Sequence, residues 1–160
     1  MTSVDVPPRL ASYDKKVALV LQGGGALGSY QAGVYEALAG SDYQPDWVAG
    51  ISIGAINAAI IAGNAPEHRV DKLRRFWETV TAPPSFWPIW LDGLIPLPSQ
   101  RRQFGSAQAL LFGQSGFFGP HAPMAWLGAT PPTSFYDTAA LKTTLETLVD
   151  FDRINAGGRG

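Results

Sequence analysis

The amino-acid sequence predicts an α/β fold with a mainly parallel sheet. Two short apolar runs, VALVL at residues 17–21 and WVAGI at residues 47–51, are each followed by a glycine-containing turn and then by a helical pattern. Continuous apolar runs of this length are typical of buried strands, and strands that alternate with helices favour parallel pairing. The chain has 160 residues, 46% of them hydrophobic, which is enough for one domain with a core.

The domain is expected at residues 17–160, after a polar, proline-containing lead-in at residues 1–16. Apolar spacing predicts helices over residues 29–39, 53–62 and 67–79, and the second of these is apolar all round, as buried helices are. The first helix is predicted to bury Tyr30, Val34, Ala37 and Leu38, and the third helix Val70, Leu73, Phe76, Trp77 and Val80.

The segment at residues 83–132 differs from the rest, because it is rich in aromatic residues and proline and poor in charge. Its composition suits a cap over a functional site, with a flexible loop at residues 116–119, since tryptophan and phenylalanine tolerate half-wet positions. It equally suits an irregular part of the core or a surface that further strands would cover. A last helix is predicted to begin at Asp137 as N-cap, and residues 155–160 are predicted to form a loop. The buried face of that helix is predicted to carry Ala140, Leu141, Leu145 and Leu148.

Composition argues against several classes of function. The net charge is −1, which gives no electrostatic basis for binding nucleic acid. The chain has no cysteine, and its two histidines, His68 and His121, lie far apart, so we expect neither a metal site nor a cofactor. No signal-peptide pattern and no apolar stretch of membrane-spanning length is present, which predicts a cytoplasmic protein with at most peripheral contact to a membrane.

The first turn carries the pattern Gly23-x-Gly25-x-x-Gly28 between a predicted strand and a predicted helix. This is the pattern of a dinucleotide-binding turn, but that interpretation requires an acidic residue at the end of the second strand. Asp42 and Asp46 precede the second strand instead. A turn of bare backbone also suits an oxyanion hole, so both interpretations stay open at this point.

The second turn carries the pattern Gly50-x-Ser52-x-Gly54, again between a strand and a helix. In a nucleophile elbow the serine occupies a strained turn, and the flanking glycines leave room for the neighbouring backbone. Ser52 is therefore the candidate nucleophile. Parallel strands place their following turns on the same side of the sheet, so the glycine turn after the first strand can present amide donors near Ser52.

These two motifs, QGGGALG and GISIG, resemble those of the patatin-like phospholipases in type, order and separation, and residues 136–155 are similar to bacterial members. The resemblance implies a three-layer α/β/α sandwich and a serine acyl hydrolase that cleaves lipid esters without a cofactor. It also implies that Ser52 acts in a Ser-Asp dyad without histidine. The amides of Gly23, Gly24 and Gly25 would form the oxyanion hole.

The sequence departs from the family pattern at two places. Ala26 and Leu27 stand where many members carry lysine or arginine, and the dyad's Asp-Gly-Gly or Asp-Gly-Ala is absent. The one Asp-Gly pair, Asp92-Gly93, is followed by leucine and comes too early in the chain. We therefore expect the domain to be incomplete on its C-terminal side, with the dyad aspartate outside this chain. A non-catalytic lipid- or protein-binding fragment and a dinucleotide-binding module remain the alternatives.

Overall fold

A computed structural model of the chain describes residues 15–82, 116–121, 133–134 and 136–156. Most of the predicted cap, Asp92 and the last four residues lie outside the described residues. The chain divides into two compact units. One unit comprises Met1–Trp77 together with Leu148–Gly160, and the other comprises Glu78–Thr147.

The first unit is built on a parallel strand–helix–strand arrangement, as the sequence predicts. Its strands and helices are β1 (Ala18–Leu21), α1 (Gly28–Ala39), β2 (Trp47–Gly50), α2 (Ile53–Ala62) and the start of α3 (Pro66–Thr81). β1 and β2 pair in parallel, with Leu21 opposite Gly50 at their carboxyl ends. The predicted α/β class with parallel pairing is therefore confirmed for the described residues.

The two-stranded sheet is covered by α2 on one face. Leu21 on that face is buried, whereas Val20 and Trp47 on the other face are 68% and 52% exposed. The prediction of strands buried on both faces is thus wrong for these two side chains. A continuous apolar run shows that a strand can be buried on both faces, but it does not show which residues cover each face.

The predicted buried face of α1 needs correction. Tyr30 is 77% exposed, Ala37 is exposed, and Tyr35 is the residue that is buried, at 3% exposure. Helix α1 lies against α2 along a line that includes Gly28 and Gln31, so glycine and glutamine occupy positions where apolar periodicity looks for large hydrophobic residues.

The predictions for α2 and α3 are confirmed. Ile60 and Ile61 of α2 are almost completely buried, as are Leu73 and Phe76 of α3. The predicted inner face of α3 is buried except at Val70, which is half-buried. Most charged residues of α3 are exposed, and Arg74 pairs with Glu36 at 3.1 Å, whereas Arg69 is half-buried and donates to the Asn64 carbonyl at 3.0 Å.

In the second unit, β3 (Gly119–Pro120) pairs antiparallel with β4 (Tyr136–Asp137). The rings of Phe118 and Tyr136 meet edge to face with centroids 4.9 Å apart. Residues 116–119 are therefore a turn that enters a short strand and not a loop throughout. Helix α4 (Ala139–Leu148) follows, and Asp137 accepts a 2.8 Å hydrogen bond from the Ala139 N–H, one residue further out than an N-cap.

Helix α5 (Phe151–Asn155) belongs to the first unit and is not predicted by apolar spacing. Asp150 caps it by accepting a 3.0 Å hydrogen bond from the Arg153 N–H. The side chain of Asn64 donates to the carbonyls of Ile60 and Leu148 at 2.8 Å each, which fastens the chain before α5 to the end of α2. Among the described residues, no helix is both long enough and apolar enough to cross a membrane.

Candidate active site

Ser52 occupies the sharp turn between β2 and α2. Its backbone has φ 55° and ψ −126°, and it is the one non-glycine residue with positive φ in the described part of the chain. Such a conformation costs about 1–3 kcal/mol and persists where the surrounding structure imposes it. The side chain is exposed at the carboxyl end of the parallel sheet.

The two glycines that flank Ser52 are required by close backbone approach. A Cβ atom on Gly50 would overlap the carbonyl group of Gly54, and a Cβ atom on Gly54 would overlap the carbonyl of Leu21 in β1. The turn therefore brings the start of α2 against both strands at once. Any side chain at either position would push the serine turn away from the sheet.

The glycine turn after β1 lies directly beside Ser52. The Ile51 N–H donates to the Leu21 carbonyl at 3.0 Å, so the pairing of the two strands continues into the two turns. A Cβ atom on Gly23 would stand 3.3 Å from the Cβ of Ser52 and 4.0 Å from its Oγ. Gly25, with φ 55°, then opens a short 3-10 turn that leads into α1.

The glycine turn exposes backbone donors. Gly23, Gly24 and Gly25 are all exposed, and none of their N–H groups has a hydrogen-bond acceptor in the part of the chain that the structure describes. Helix α2 begins at Ile53, so its positive dipole end also lies next to the serine. Bare N–H groups beside a hydroxyl can stabilise negative charge that develops on a substrate oxygen.

Gly28, the last glycine of the motif, has a packing role. It is buried at the start of α1, where a Cβ atom would stand 2.6 Å from Ile53 and 2.7 Å from the ring of Trp77. Its absence of a side chain lets the first turn of α1 approach α2 and α3. The first unit therefore brings together Ser52 and all the predicted glycine positions.

The acidic residues considered for a dinucleotide are placed elsewhere. The carboxylate of Asp46 accepts a 2.6 Å hydrogen bond from the Val17 N–H and pairs with Lys16 at 3.5 Å, so it joins the beginnings of the two strands. Ligands in open α/β sheets bind beyond the opposite, carboxyl ends. Within the described ranges, no group of three or more histidine, aspartate or glutamate side chains is placed to hold a metal ion.

One polar residue near the site was not singled out by its sequence context. Asn57 stands in the otherwise apolar helix IGAINAAIIA and is 1% exposed. It is hydrogen-bonded to Gly28, Gln31 and Trp77. A lone amide in an apolar helix was the available signal, since a buried polar side chain requires partners.

The fold and the site define an α/β protein built around a Gly-x-Ser-x-Gly turn with a glycine-rich turn beside it. The chain belongs to the patatin-like phospholipase family, whose model matches residues 19–159. No curated protein and no solved structure matches the chain significantly. Family membership assigns the chain to lipid acyl hydrolases at the level of the family as a whole.

Proposed function

We propose that the protein is a serine acyl hydrolase that cleaves carboxylic ester bonds of lipids, with Ser52 as its nucleophile. The observation that carries the proposal is the strained backbone of Ser52, with φ 55° and ψ −126°, beside a turn of exposed glycine amides. Strain of this kind clusters at functional sites, since an ordinary turn would relax. Membership of a family of lipid hydrolases supplies the substrate class.

The proposed reaction has two steps. The Ser52 Oγ attacks the ester carbonyl carbon, its proton passes to a general base, and the amides of Gly23, Gly24 and Gly25 stabilise the oxyanion. The tetrahedral species collapses to an acyl-enzyme, and the alcohol leaves with the proton from the base. Water then attacks the acyl-enzyme and gives up a proton to the same base, which releases the fatty acid and restores the serine hydroxyl.

We assign the base to an aspartate, as in the family's Ser-Asp dyad, and place it outside these 160 residues. None of the aspartates of the chain stands in Asp-Gly-Gly or Asp-Gly-Ala. Among those described, the carboxylates of Asp46, Asp137 and Asp150 each accept a backbone N–H at a strand or helix start. Those hydrogen bonds give each carboxylate a structural role.

The proposal extends to the fold and the surroundings of the site. The sheet face that carries the exposed Val20 and Trp47 is where the second helical layer of a three-layer α/β/α sandwich would pack. A transient contact with a lipid surface is proposed for substrate capture, because a lipid ester has to reach Ser52 from a membrane or micelle. Neither nucleic acid nor a cofactor has a part in this reaction.

A fluorophosphonate probe tests the nucleophile in the protein that includes the dyad aspartate. We expect the probe to modify Ser52, with loss of fluoride, and to leave Ser52→Ala unmodified. The matched control is Ser41→Ala, because the Ser41 hydroxyl donates to the Leu38 carbonyl at 2.9 Å at the end of α1 that lies away from the glycine turn. Peptide mass spectrometry locates the label.

Ester turnover is measured on the protein that includes the dyad aspartate. Ser52→Ala is expected to abolish hydrolysis of short-chain and phospholipid esters, whereas Ser41→Ala retains it. Hydrolysis that survives in Ser52→Ala would refute the assignment. Lipid binding without labelling or turnover would identify a non-catalytic binding protein instead.

A further inference from the structure

A continuous chain of polar side chains runs from the core of the first unit to the glycine turn. Asn57 is the one buried polar residue among the described side chains. Its Nδ2 donates to the Gly28 carbonyl at 2.9 Å and to Oε1 of Gln31 at 3.0 Å, and its Oδ1 accepts a 3.1 Å hydrogen bond from Nε1 of Trp77. Gln31 in turn donates from Nε2 to the Gln22 carbonyl at 2.7 Å.

The partners fix the orientation of both amides. The indole of Trp77 can only donate and the carbonyl of Gly28 can only accept, so Asn57 must present Oδ1 to Trp77 and Nδ2 to Gly28. The second proton on Nδ2 then requires an acceptor, which is Oε1 of Gln31. Gln31 is thereby left with Nε2 directed at the Gln22 carbonyl. The direction of every hydrogen bond in this series of side chains is therefore fixed.

The hydrogen-bonded side chains of Asn57 and Gln31 hold the two ends of the glycine turn. Gln22 and Gly28 bracket residues 23–27, which are all exposed. The peptide plane between Gln22 and Gly23 keeps the carbonyl of one and the N–H of the other antiparallel, so a fixed Gln22 carbonyl fixes the direction of the Gly23 N–H. Gly23 is the glycine that lies against Ser52.

We infer that Asn57 and Gln31 are positioning residues that hold the glycine turn, and with it the Gly23 donor, in register with Ser52. The inference rests on the proposed function, because it gives a purpose to the amides of that turn. Asn57 and Ser52 are parts of one rigid unit, since Ser52 directly precedes α2 and Asn57 lies within α2. The hydrogen bonds that Asn57 makes therefore keep the glycine turn, and the N–H donors that it carries, at a fixed position relative to Ser52.

Close packing alone does not account for this arrangement. An apolar residue at position 57 would fill the same space, as Ala58, Ile60 and Ile61 do in the same helix, but it would give the indole N–H of Trp77 no acceptor and Gln31 no donor. What an amide adds is direction, through two donors and one acceptor in fixed geometry. The turn needs such direction because Gly24 and Gly25 have no side chains with which to anchor themselves.

The test uses Gln31, which is half-buried, whereas Asn57 is fully buried. Gln31→Met keeps the length of the side chain and removes the donor to Gln22, and Gln31→Glu keeps the acceptor for Asn57 while removing the same donor. The matched control is Gln44→Met, because the Gln44 amide likewise donates to a backbone carbonyl, that of Ala39, at 2.9 Å, away from the site. Asn57 itself is left unchanged, since its loss would leave buried groups without partners.

The first readout is the backbone ¹⁵N order parameter of Gly23, Gly24 and Gly25, which does not depend on activity. We expect values near 0.85 in the wild type and in Gln44→Met, and values below about 0.6 in both Gln31 variants. An unchanged indole N–H resonance of Trp77 verifies that the Asn57 core persists. Equal order parameters in Gln31→Met and Gln44→Met would overturn the inference.

The second readout is the rate of fluorophosphonate labelling at Ser52 in the protein that includes the dyad aspartate, separated into probe affinity and the first-order labelling step. A misdirected donor is expected to slow the labelling step roughly 10- to 100-fold and to leave the affinity unchanged, because the donor acts on the transition state. Labelling of Gln31→Met at the wild-type rate would overturn the inference. If wild-type Ser52 is not labelled at all, the proposed function fails, and the order parameters alone decide whether Gln31 holds the turn.

Discussion

The strained backbone at Ser52 leads to a prediction about stability that is separate from activity. Glycine adopts φ 55° and ψ −126° far more easily than a residue with a Cβ atom does. Replacing Ser52 by glycine should therefore relieve strain that alanine at the same position retains. The comparison between Ser52→Gly and Ser52→Ala isolates the backbone, because both variants lack the hydroxyl.

The magnitude follows from two opposing effects. Relief of the strained conformation contributes about 1–3 kcal/mol in favour of glycine. The greater freedom of glycine in the unfolded chain costs about 0.4–1 kcal/mol. Ser52→Gly should therefore unfold with a free energy about 0.5–2 kcal/mol larger than that of Ser52→Ala.

In the control variant, the change from alanine to glycine is expected to lower the free energy of unfolding instead of raising it. Ala37 is exposed in the last turn of α1, where the backbone is still helical. Replacing it by glycine should lower the free energy of unfolding by about 1 kcal/mol, because glycine is a poor helix former. The alanine-to-glycine change is thus expected to stabilise position 52 and to destabilise position 37.

Thermal unfolding followed by circular dichroism is a sufficient assay. For a chain of this size 1 kcal/mol corresponds to about 2–4 °C in the midpoint. Ser52→Gly should therefore melt about 1–8 °C above Ser52→Ala, and urea titration should give the same order. If Ser52→Gly is less stable than Ser52→Ala by as much as Ala37→Gly is less stable than the wild type, position 52 carries no strain and the reasoning is refuted.

Three further predictions concern packing and capping. Gly54→Ala should lose at least about 3 kcal/mol in urea titration, because its Cβ atom overlaps the backbone of β1, whereas Gly33→Ala, with nothing within 4 Å, should gain about 0.4–1 kcal/mol; equal effects would contradict the close approach at Gly54. Asp150→Ala should lower the thermal midpoint by an amount equivalent to about 1 kcal/mol through loss of the cap on α5, and an unchanged midpoint would count against that cap. Phe76→Ala, at a side chain with 0% exposure, should cost about 3–5 kcal/mol by denaturant titration, and a cost below 1 kcal/mol would remove Phe76 from the core.

The sequence predicts best where one signal is carried by several residues in a row. The apolar runs at residues 17–21 and 47–51 give two strands, and the helical spacing after each gives α1 and α2. The turn at Ser52 is predictable for a different reason. Glycine favours neither helix nor strand, so glycines at positions 50 and 54 on either side of a serine indicate that neighbouring backbone lies against both positions.

The sequence predicts less well where burial depends on a partner rather than on periodicity. Tyr30 and Tyr35 are equally apolar, and the choice between them is made by Gly28 and Gln31, which set the line along which α1 contacts α2. Helix α5 escapes prediction because it has only five residues, too few for an apolar period, and its one local signal is the cap at Asp150.

Helix α2 contributes to each part of the site. The strained turn at Ser52 directly precedes its first residue, and the absence of a side chain at Gly54 allows β1 to approach closely. Asn57 holds the glycine turn through Gln31. Ile60 and Ile61, near the other end of α2, have 0% and 2% exposure, so the helix that follows Ser52 is anchored at the end away from the reaction. The contacts that the site requires are made by the buried residues Ile53, Gly54 and Asn57 of this helix, whereas Ala55 is exposed. We therefore expect substitutions along α2 to separate by position: those at its start change the chemistry of Ser52, those at Asn57 change the geometry of the donors, and those at its end change stability alone.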